Sequence, residues 1–373
     1  MVEVIDLTDW RPLNVIKLRW IYHQIQERVR RGVRVDLLGA EEDLAFFALV
    51  NASPLDSSKS SSPHVPVMVT EVLAALDLSP GMTIVDATAG AGGHTEAIAQ
   101  QVGEQGRVIA IDRDPDFLRA TARKLKPRYP WILFKVGDFA QLRSILNELG
   151  IQSVHGVLMD LGLSSYHLER SGRGFSFRRE EPLDMRFDPR EGQPASWVLQ
   201  HLSERELQTL FRVYGEEPWA RRIAREVVRE RKHRPIQTTG DLNAIIDRVV
   251  PYPHRSKAKA RIYQALRIYV NRELDRVARG LVEAIQALVP QGRLVVLAYH
   301  SLEDRLVKAL KNVSGLRPLF KKPLTPSEEE VLGNPRARSA KLRAYVKEGE
   351  IDEAWLLAHL RAVLPVVGRH GAF

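Results

Sequence analysis

Three parts of the chain carry residues that could do chemistry. The first is the run Thr83-Ile84-Val85-Asp86-Ala87-Thr88-Ala89-Gly90-Ala91-Gly92-Gly93-His94-Thr95, a β-rich stretch that passes through glycines into a helical pattern. Such a turn lets backbone approach a ligand closely, and the helix it opens offers N–H groups with no intrahelical partner. Asp112 follows 19 residues after Gly93. An acidic side chain there can accept both ribose hydroxyls of an adenosine. A dinucleotide fingerprint would need a third glycine where this chain has Thr95. Asp86 stands just before the turn, where it would oppose a pyrophosphate but suit a cationic ligand with an amino group. S-adenosylmethionine therefore fits Asp86, Gly90 and Asp112 better than a dinucleotide. A tight turn that serves only helix–strand packing is the third alternative.

The second part is Asp160, in Leu158-Met159-Asp160-Leu161-Gly162-Leu163-Ser164-Ser165. At the carboxyl end of a strand it would face a ligand at the switch point of an open sheet; as a helix N-cap it would only satisfy backbone N–H groups. The third is Tyr299-His300-Ser301-Leu302-Glu303-Asp304-Arg305, again after an apolar run. His300 could move a proton, or serve as a hydrogen-bonded structural residue. The serine lacks a nucleophile elbow, so no Ser/His/Asp triad is implied. With zero cysteines and no His pair at ligand spacing on a helix, no metal site is expected. Between these parts, Arg173-Gly174-Phe175-Ser176-Phe177 and Pro182-Leu183-Asp184-Met185-Arg186-Phe187-Asp188 set Arg close to Phe. Arg173, Phe175 and Arg186 could stack on a base and pair with phosphate; a surface loop with an apolar anchor is the plainer alternative.

These residues need a scaffold. Strands are predicted at Met82–Ala87, at Arg107–Ile111 ending on Asp112, at Trp131–Val136 and at His155–Met159, with a helix at Pro115–Leu125 whose proline falls in its first turn. Strands alternating with helices imply a parallel α/β sheet. From about 171 to 280 only helical patterns occur: a capping-box spacing at Ser203-Glu204-Arg205-Glu206, then Pro218–Arg231 and Ser256–Ala287. Strand character returns at Gly292–Tyr299, and weakly at Leu316–Leu324 and Lys341–Val346. The resulting division is a helical N-terminal extension (1–50, with Ile16, Trp20, Ile25 and Val29 at near-helical spacing), a Ser-rich linker (51–63), and an α/β domain in two parts (64–170 and 280–348). An all-helical insertion (171–279) interrupts that domain, and a helical tail (349–373) follows it.

The 373 residues hold 55 Lys and Arg against 46 Asp and Glu, a formal net charge of +9. Between Arg221 and Arg279 there are 16 basic and six acidic residues, so the other 314 residues are together one charge negative. The excess belongs to the insertion. Arg221, Arg222, Arg225, Arg229 and Arg231 form a basic helical face, a candidate for nucleic acid or simply a solvated face partly balanced by Glu226 and Glu230. An apolar fraction of 44% excludes a mostly disordered chain. No apolar run approaches the roughly 18 residues of a membrane span, and no apolar leader segment opens the chain. A cytoplasmic protein is expected.

In this order and spacing the segments resemble the bacterial small-subunit ribosomal RNA (cytosine-N4) methyltransferases, over about three quarters of the chain, from His64 to Val346. The hallmarks are His64-Val65-Pro66-Val67, Gly92-Gly93-His94-Thr95, Ala110-Ile111-Asp112-Arg113-Asp114, Asp160-Leu161-Gly162-Leu163-Ser164-Ser165, the two Arg/Phe segments, His300-Ser301-Leu302-Glu303-Asp304-Arg305 and Asn334-Pro335-Arg336-Ala337-Arg338-Ser339. The resemblance implies an α/β, Rossmann-like S-adenosylmethionine-dependent methyltransferase sheet with an inserted all-helical domain. It also implies methylation of N4 of one cytosine in the decoding region of 16S ribosomal RNA. Gly92, Gly93, His94, Phe139 and Asp160 match cofactor-contacting positions, and Asp112 matches the ribose-binding acid. His167 stands where the family commonly has Gln. Asp160 becomes the first candidate to hold the amine and His300 the second. The implied partner is 16S ribosomal RNA within the small subunit, with neither DNA nor a membrane; a homodimer is compatible with the sequence.

Overall fold

The computed structural model describes residues 2–6, 34–38, 66–162 and 171–365. Strands β1 (Val2–Asp6) and β2 (Arg34–Leu38) pair in parallel. This corrects the helical expectation at both places: Val2-Glu3-Val4-Ile5-Asp6 is rich in β-branched residues with near period-two alternation, a strand pattern too short to stand out. The helical pattern at 15–29 and the linker at 51–63 lie outside the described residues.

The remaining seven strands form one sheet: β3 (Thr83–Asp86), β4 (Arg107–Asp112), β5 (Ile132–Val136), β6 (Val154–Asp160), β7 (Leu288–Ala298), β8 (Leu316–Pro318) and β9 (Lys341–Lys347), in the spatial order β5-β4-β3-β6-β7-β9-β8. The first five are mutually parallel; β9 runs antiparallel to β7 and β8 antiparallel to β9. The chain steps outward from β3 to β5 and then returns to the other side of β3 at β6. The carboxyl ends of β3 and β6 therefore flank the switch point of a Rossmann-like sheet. The antiparallel strand inserted beside β7 is the one departure from an all-parallel doubly wound order.

Helices cover both faces. On one lie α1 (Val69–Leu76), α2 (Gly93–Val102) and α3 (Pro115–Leu125). They pack with Ile84, Val108, Ala110, Leu158, Val295 and Leu297 of the sheet. The residues one step along each strand, Val85, Ile109, Val157 and Val296, belong to the opposite core with α4 (Leu142–Glu148). This is the period-two alternation of a sheet buried on both sides.

The insertion contains α5 (Ala195–His201), α6 (Glu204–Val213), α7 (Ala220–Glu230), α8 (Thr239–Val249) and α9 (Arg255–Asn271). Its apolar core is continuous with that of the second sheet face. Ser203 caps α6 with the expected capping box, and Thr238 does the same for α8. The single helix expected at 256–287 is two. Asn271 closes α9, Arg272 takes the left-handed conformation (φ 51°), and α10 (Glu273–Ala287) leaves in a new direction. The boundary drawn at 279–280 consequently falls inside α10, which packs against the 3₁₀ turn Phe139–Gln141, α4 and α13 (Glu353–Ala362) rather than only on the insertion. The fold is completed by α11 (Ser301–Ala309) and α12 (Glu328–Gly333).

Candidate functional site

A cavity of about 470 Å³ opens at the carboxyl ends of β3, β4 and β6, within the range of small-molecule and cofactor sites. Seven predicted residues line it together: Gly90, Gly93, His94, Asp112, Phe139, Asp160 and His300.

The glycine turn is built from its neighbours. Gly90 N–H donates to Asp112 Oδ2 at 2.9 Å, and Asp114 N–H donates to Oδ1 at 2.9 Å. Each carboxylate oxygen accepts more than one hydrogen bond, so Asp112 is oriented toward the cavity with lone pairs left for a diol. Asp114 itself caps α3, accepting from Asp116 N and Phe117 N at 3.0 Å each. Phe139 and Val277 both line the cavity. Phe139 approaches α10 so closely that a Cβ on Gly280 would lie 2.3 Å from its ring. An aromatic and an aliphatic wall beside a ribose acid can hold an adenine.

Asp160 ends β6. Its N–H donates to Thr88 Oγ1 at 2.7 Å, and its Oδ1 accepts from Gly162 N at 3.0 Å. Its Oδ2 lies 3.5 Å from His94 Nδ1, while the other ring nitrogen of His94 bonds Val67 O at 2.8 Å. Tyr299 reaches the same carboxylate. Burial, the negative charge of Asp160 and the hydrogen bond between them push the phenol far above its ordinary range. Tyr299 therefore stays protonated and donates.

Three predicted residues have other roles. Asp86 is buried behind the turn, where it accepts from Thr95 Oγ1 at 2.6 Å and Thr88 N at 3.2 Å and does not reach the cavity wall. Desolvation, opposed by those hydrogen bonds and by His94, raises its pKa. Gly92 (φ 82°) faces α3, and a Cβ there would lie 2.6 Å from both Thr121 and Leu125; its smallness serves packing. His300 caps α11 by accepting from Glu303 N through Nδ1, and its Nε2 lies 3.0 Å from Glu303 Oε1, shielded from solvent. It borders the cavity as a fixed structural group, not as a free base. His167 lies outside the described residues.

The Arg/Phe segments turn inward, which corrects their candidacy as an RNA surface. Phe175 is buried and stacks on Phe187 at 5.4 Å. Arg173 binds Asp114 at 2.5 Å and the carbonyls of Arg186 and Phe187 at 2.9 and 2.7 Å. Arg186 is engaged by Asp184. These bonds fasten the insertion to the sheet beside Asp112. On α7, Arg221, Arg222, Arg225 and Arg229 are exposed, but Arg229 pairs with Glu226 at 2.6 Å and Arg225 approaches Glu204 at 3.8 Å. Arg231 points inward to the carbonyls of Leu199 and Leu202.

The cavity also holds groups that the sequence did not single out: Arg113, Arg267, Glu273, Arg276 and Tyr299. Burial, with repulsion from Arg113 and Arg279, lowers Arg276 to about 10 although it pairs with Asp138. Three of the five come from α9 and α10, and nothing in a run of charged helical residues reveals that it will fold back over a sheet edge. Among the described residues one cluster, Glu273, His300 and Glu303, has metal-ligand types at close range. Arg267 already takes both oxygens of Glu273, at 2.8 and 3.1 Å, which sets a guanidinium where a cation would bind.

Comparison with known proteins places this geometry. Residues 61–348 match the model of the MraW methylase family. A ribosomal RNA small subunit methyltransferase H of Dictyoglomus thermophilum is 45% identical over 284 residues, covering 75% of this chain and 95% of that protein. One from Thermomicrobium roseum is 44% identical, covering 76% and 93%. Among solved structures, an rRNA methylase from Streptococcus thermophilus aligns with 78% of this chain and 100% of its own at 10% identity and a TM-score of 0.36, too loose a likeness to assign a function.

Proposed function

The chain belongs to the MraW methylase family, and on that premise we propose that it methylates N4 of a cytosine in the decoding region of small-subunit ribosomal RNA. It is a methyltransferase of small-subunit ribosomal RNA that uses S-adenosylmethionine. The finer assignment, to the cytosine amine, rests on the resemblance and on one observation: an acidic group, Asp160, stands at the switch point among acceptors and donors, and among the described residues only His94 approaches it as an ion-pair partner.

S-adenosylmethionine supplies an electrophilic methyl group on a sulfonium. Asp112 accepts the ribose hydroxyls. Phe139 and Val277 would offer apolar surface to the adenine. The backbone at Gly90 and Gly93, with His94, borders the remainder. The exocyclic amine of cytosine is a weak nucleophile because its lone pair is delocalised into the ring. Asp160 accepts an N–H of that amine, draws it from the ring plane and disperses the positive charge that develops. Tyr299 and Gly162 N fix the carboxylate, so little reorganisation is needed when charge appears. Asp86 and Gly92 act one step back, the first by holding Thr88 and Thr95, the second by letting α3 close on the turn. The target base must be unpaired or flipped out to enter. The exposed arginines of α7 supply part of the RNA contact.

The test is purified protein with labelled S-adenosylmethionine and small subunits lacking the modification, followed by nucleoside analysis. Label in N4-methylcytidine is the expected result. Label in another nucleoside would overturn the choice of acceptor while leaving the methyltransferase intact.

A further inference from the structure

His94 and Asp160 meet with too few protons between them. Val67 O can only accept, so the 2.8 Å contact requires a hydrogen on His94 Nε2. A neutral imidazole has only one. Its Nδ1 then presents a lone pair, and it faces Asp160 Oδ2, another acceptor, at 3.5 Å. Two acceptors held face to face, just beyond hydrogen-bond length, make a place for one additional proton.

The surroundings favour its arrival. His94 is buried and Asp160 largely so, with side chains 7% and 20% exposed. Beneath them, β3 contributes Asp86, a second acid whose oxygens are already taken by Thr95 and Thr88. From the end of β7 comes Tyr299, a protonated donor to Asp160, itself near Glu303 and Glu330. Arg336 lies on the cavity lining. An imidazolium at His94 would stand beside two carboxylates and keep its bond to Val67 O.

Resting on the function proposed above, we propose that His94 is the acceptor of the proton released by methyl transfer, with Asp160 as the relay. The amine lone pair forms the new N–C bond while the S–C bond breaks and its electron pair stays on sulfur, leaving a neutral thioether. The nitrogen, now cationic, keeps the N–H bonding pair and gives the proton to Asp160 Oδ2. The proton passes to His94 Nδ1, leaving a carboxylate beside an imidazolium. After product departure it leaves to solvent and the site is reset. His94 acts through Asp160 and does not touch the base.

The informative variant is His94→Gln, whose amide N–H can still bond Val67 O but whose other end cannot take a proton. Because His94 also borders the cofactor, rates are compared at saturating S-adenosylmethionine, with affinity read separately by calorimetry with S-adenosylhomocysteine. Single-turnover methyl transfer should fall by about 10- to 100-fold, and the decline on acidification through the histidine range should vanish. A second readout needs no turnover. In ¹⁵N-histidine NMR of the full chain with S-adenosylhomocysteine, the resonances missing from His94→Gln should titrate, and Asp160→Asn should move their midpoint. The proposal is overturned by an unchanged rate at saturating S-adenosylmethionine and an unchanged pH profile in His94→Gln, or by a His94 resonance that ignores Asp160→Asn. Label outside N4-methylcytidine in the native protein would instead count against the acceptor assignment.

Discussion

Asp112 is the residue on which cofactor affinity should depend most simply. Its two oxygens are oriented by Gly90 N and Asp114 N, and nothing else on the described cavity wall can accept a ribose diol in the same place. Charge-assisted hydrogen bonds contribute about 1.5–3 kcal/mol each. Asp112→Ala should therefore weaken S-adenosylhomocysteine binding by at least about tenfold, measurable by calorimetry, with little change in melting temperature. Gly92→Ala should do the reverse. Its φ of 82° and the 2.6 Å approach of an added methyl to Thr121 and Leu125 predict a loss of about 1–3 kcal/mol in stability. Gly150→Ala, also at positive φ (70°) but with open space around it, should lose less; chemical denaturation of the pair makes the comparison. At this scale the sequence was informative where residue type and strand end coincide, as at Asp112 and Asp160. It was misleading at Asp86, whose side chain points back into the core from the last residue of β3.

Elements are tied to one another by polar groups that sequence patterns do not reveal. Arg173 joins the insertion to the N-terminus of α3 through a buried Asp114. Removing one partner of a buried pair costs about 3–5 kcal/mol, so Arg173→Ala should lower stability by roughly that amount before any effect on RNA is seen, as a denaturant titration would register. Asp304 ties α11 to β9 through Arg343 at 2.7 Å and Lys341 at 3.1 Å. Partial burial alone would raise its carboxyl, but the two hydrogen bonds and charges outweigh it and hold the pKa below the usual range. A depressed folded-state pKa gives stability that is complete above the unfolded value and lost as pH falls through the folded one. Asp304→Asn should thus flatten the loss of stability below about pH 4, seen in melting curves across an acid series. The central strands were legible because parallel strands covered on both faces read as apolar runs. The break at Arg272 was not, because Asn271-Arg272 carries neither glycine nor proline and the turn is imposed by packing. Phe175 was ambiguous for a related reason: an aromatic beside an arginine reads alike whether it faces a base or a core.

For the molecule as a whole, the charge excess lies in the insertion, while Asp112 and Asp160 line the cavity at the carboxyl ends of the strands. Several arginines are already engaged by internal partners, and Arg221 and Arg222 are the exposed pair on α7 for which no ion pair is described. Replacing both with Gln should reduce the slope of log affinity against log salt by roughly 0.7–0.9 for each phosphate no longer engaged, with cofactor binding untouched; filter binding to small subunits at several ionic strengths would measure it. An unchanged slope would move the RNA interface elsewhere.

Arg267, Glu273, Arg276 and Val277 reach the cavity from α9 and α10, while Gly90, Asp112 and Asp160 reach it from the sheet. A molecule that fills the cavity would touch both layers, which also share a continuous apolar core. Whatever free energy it gains by touching both is, by linkage, free energy withheld from their separation.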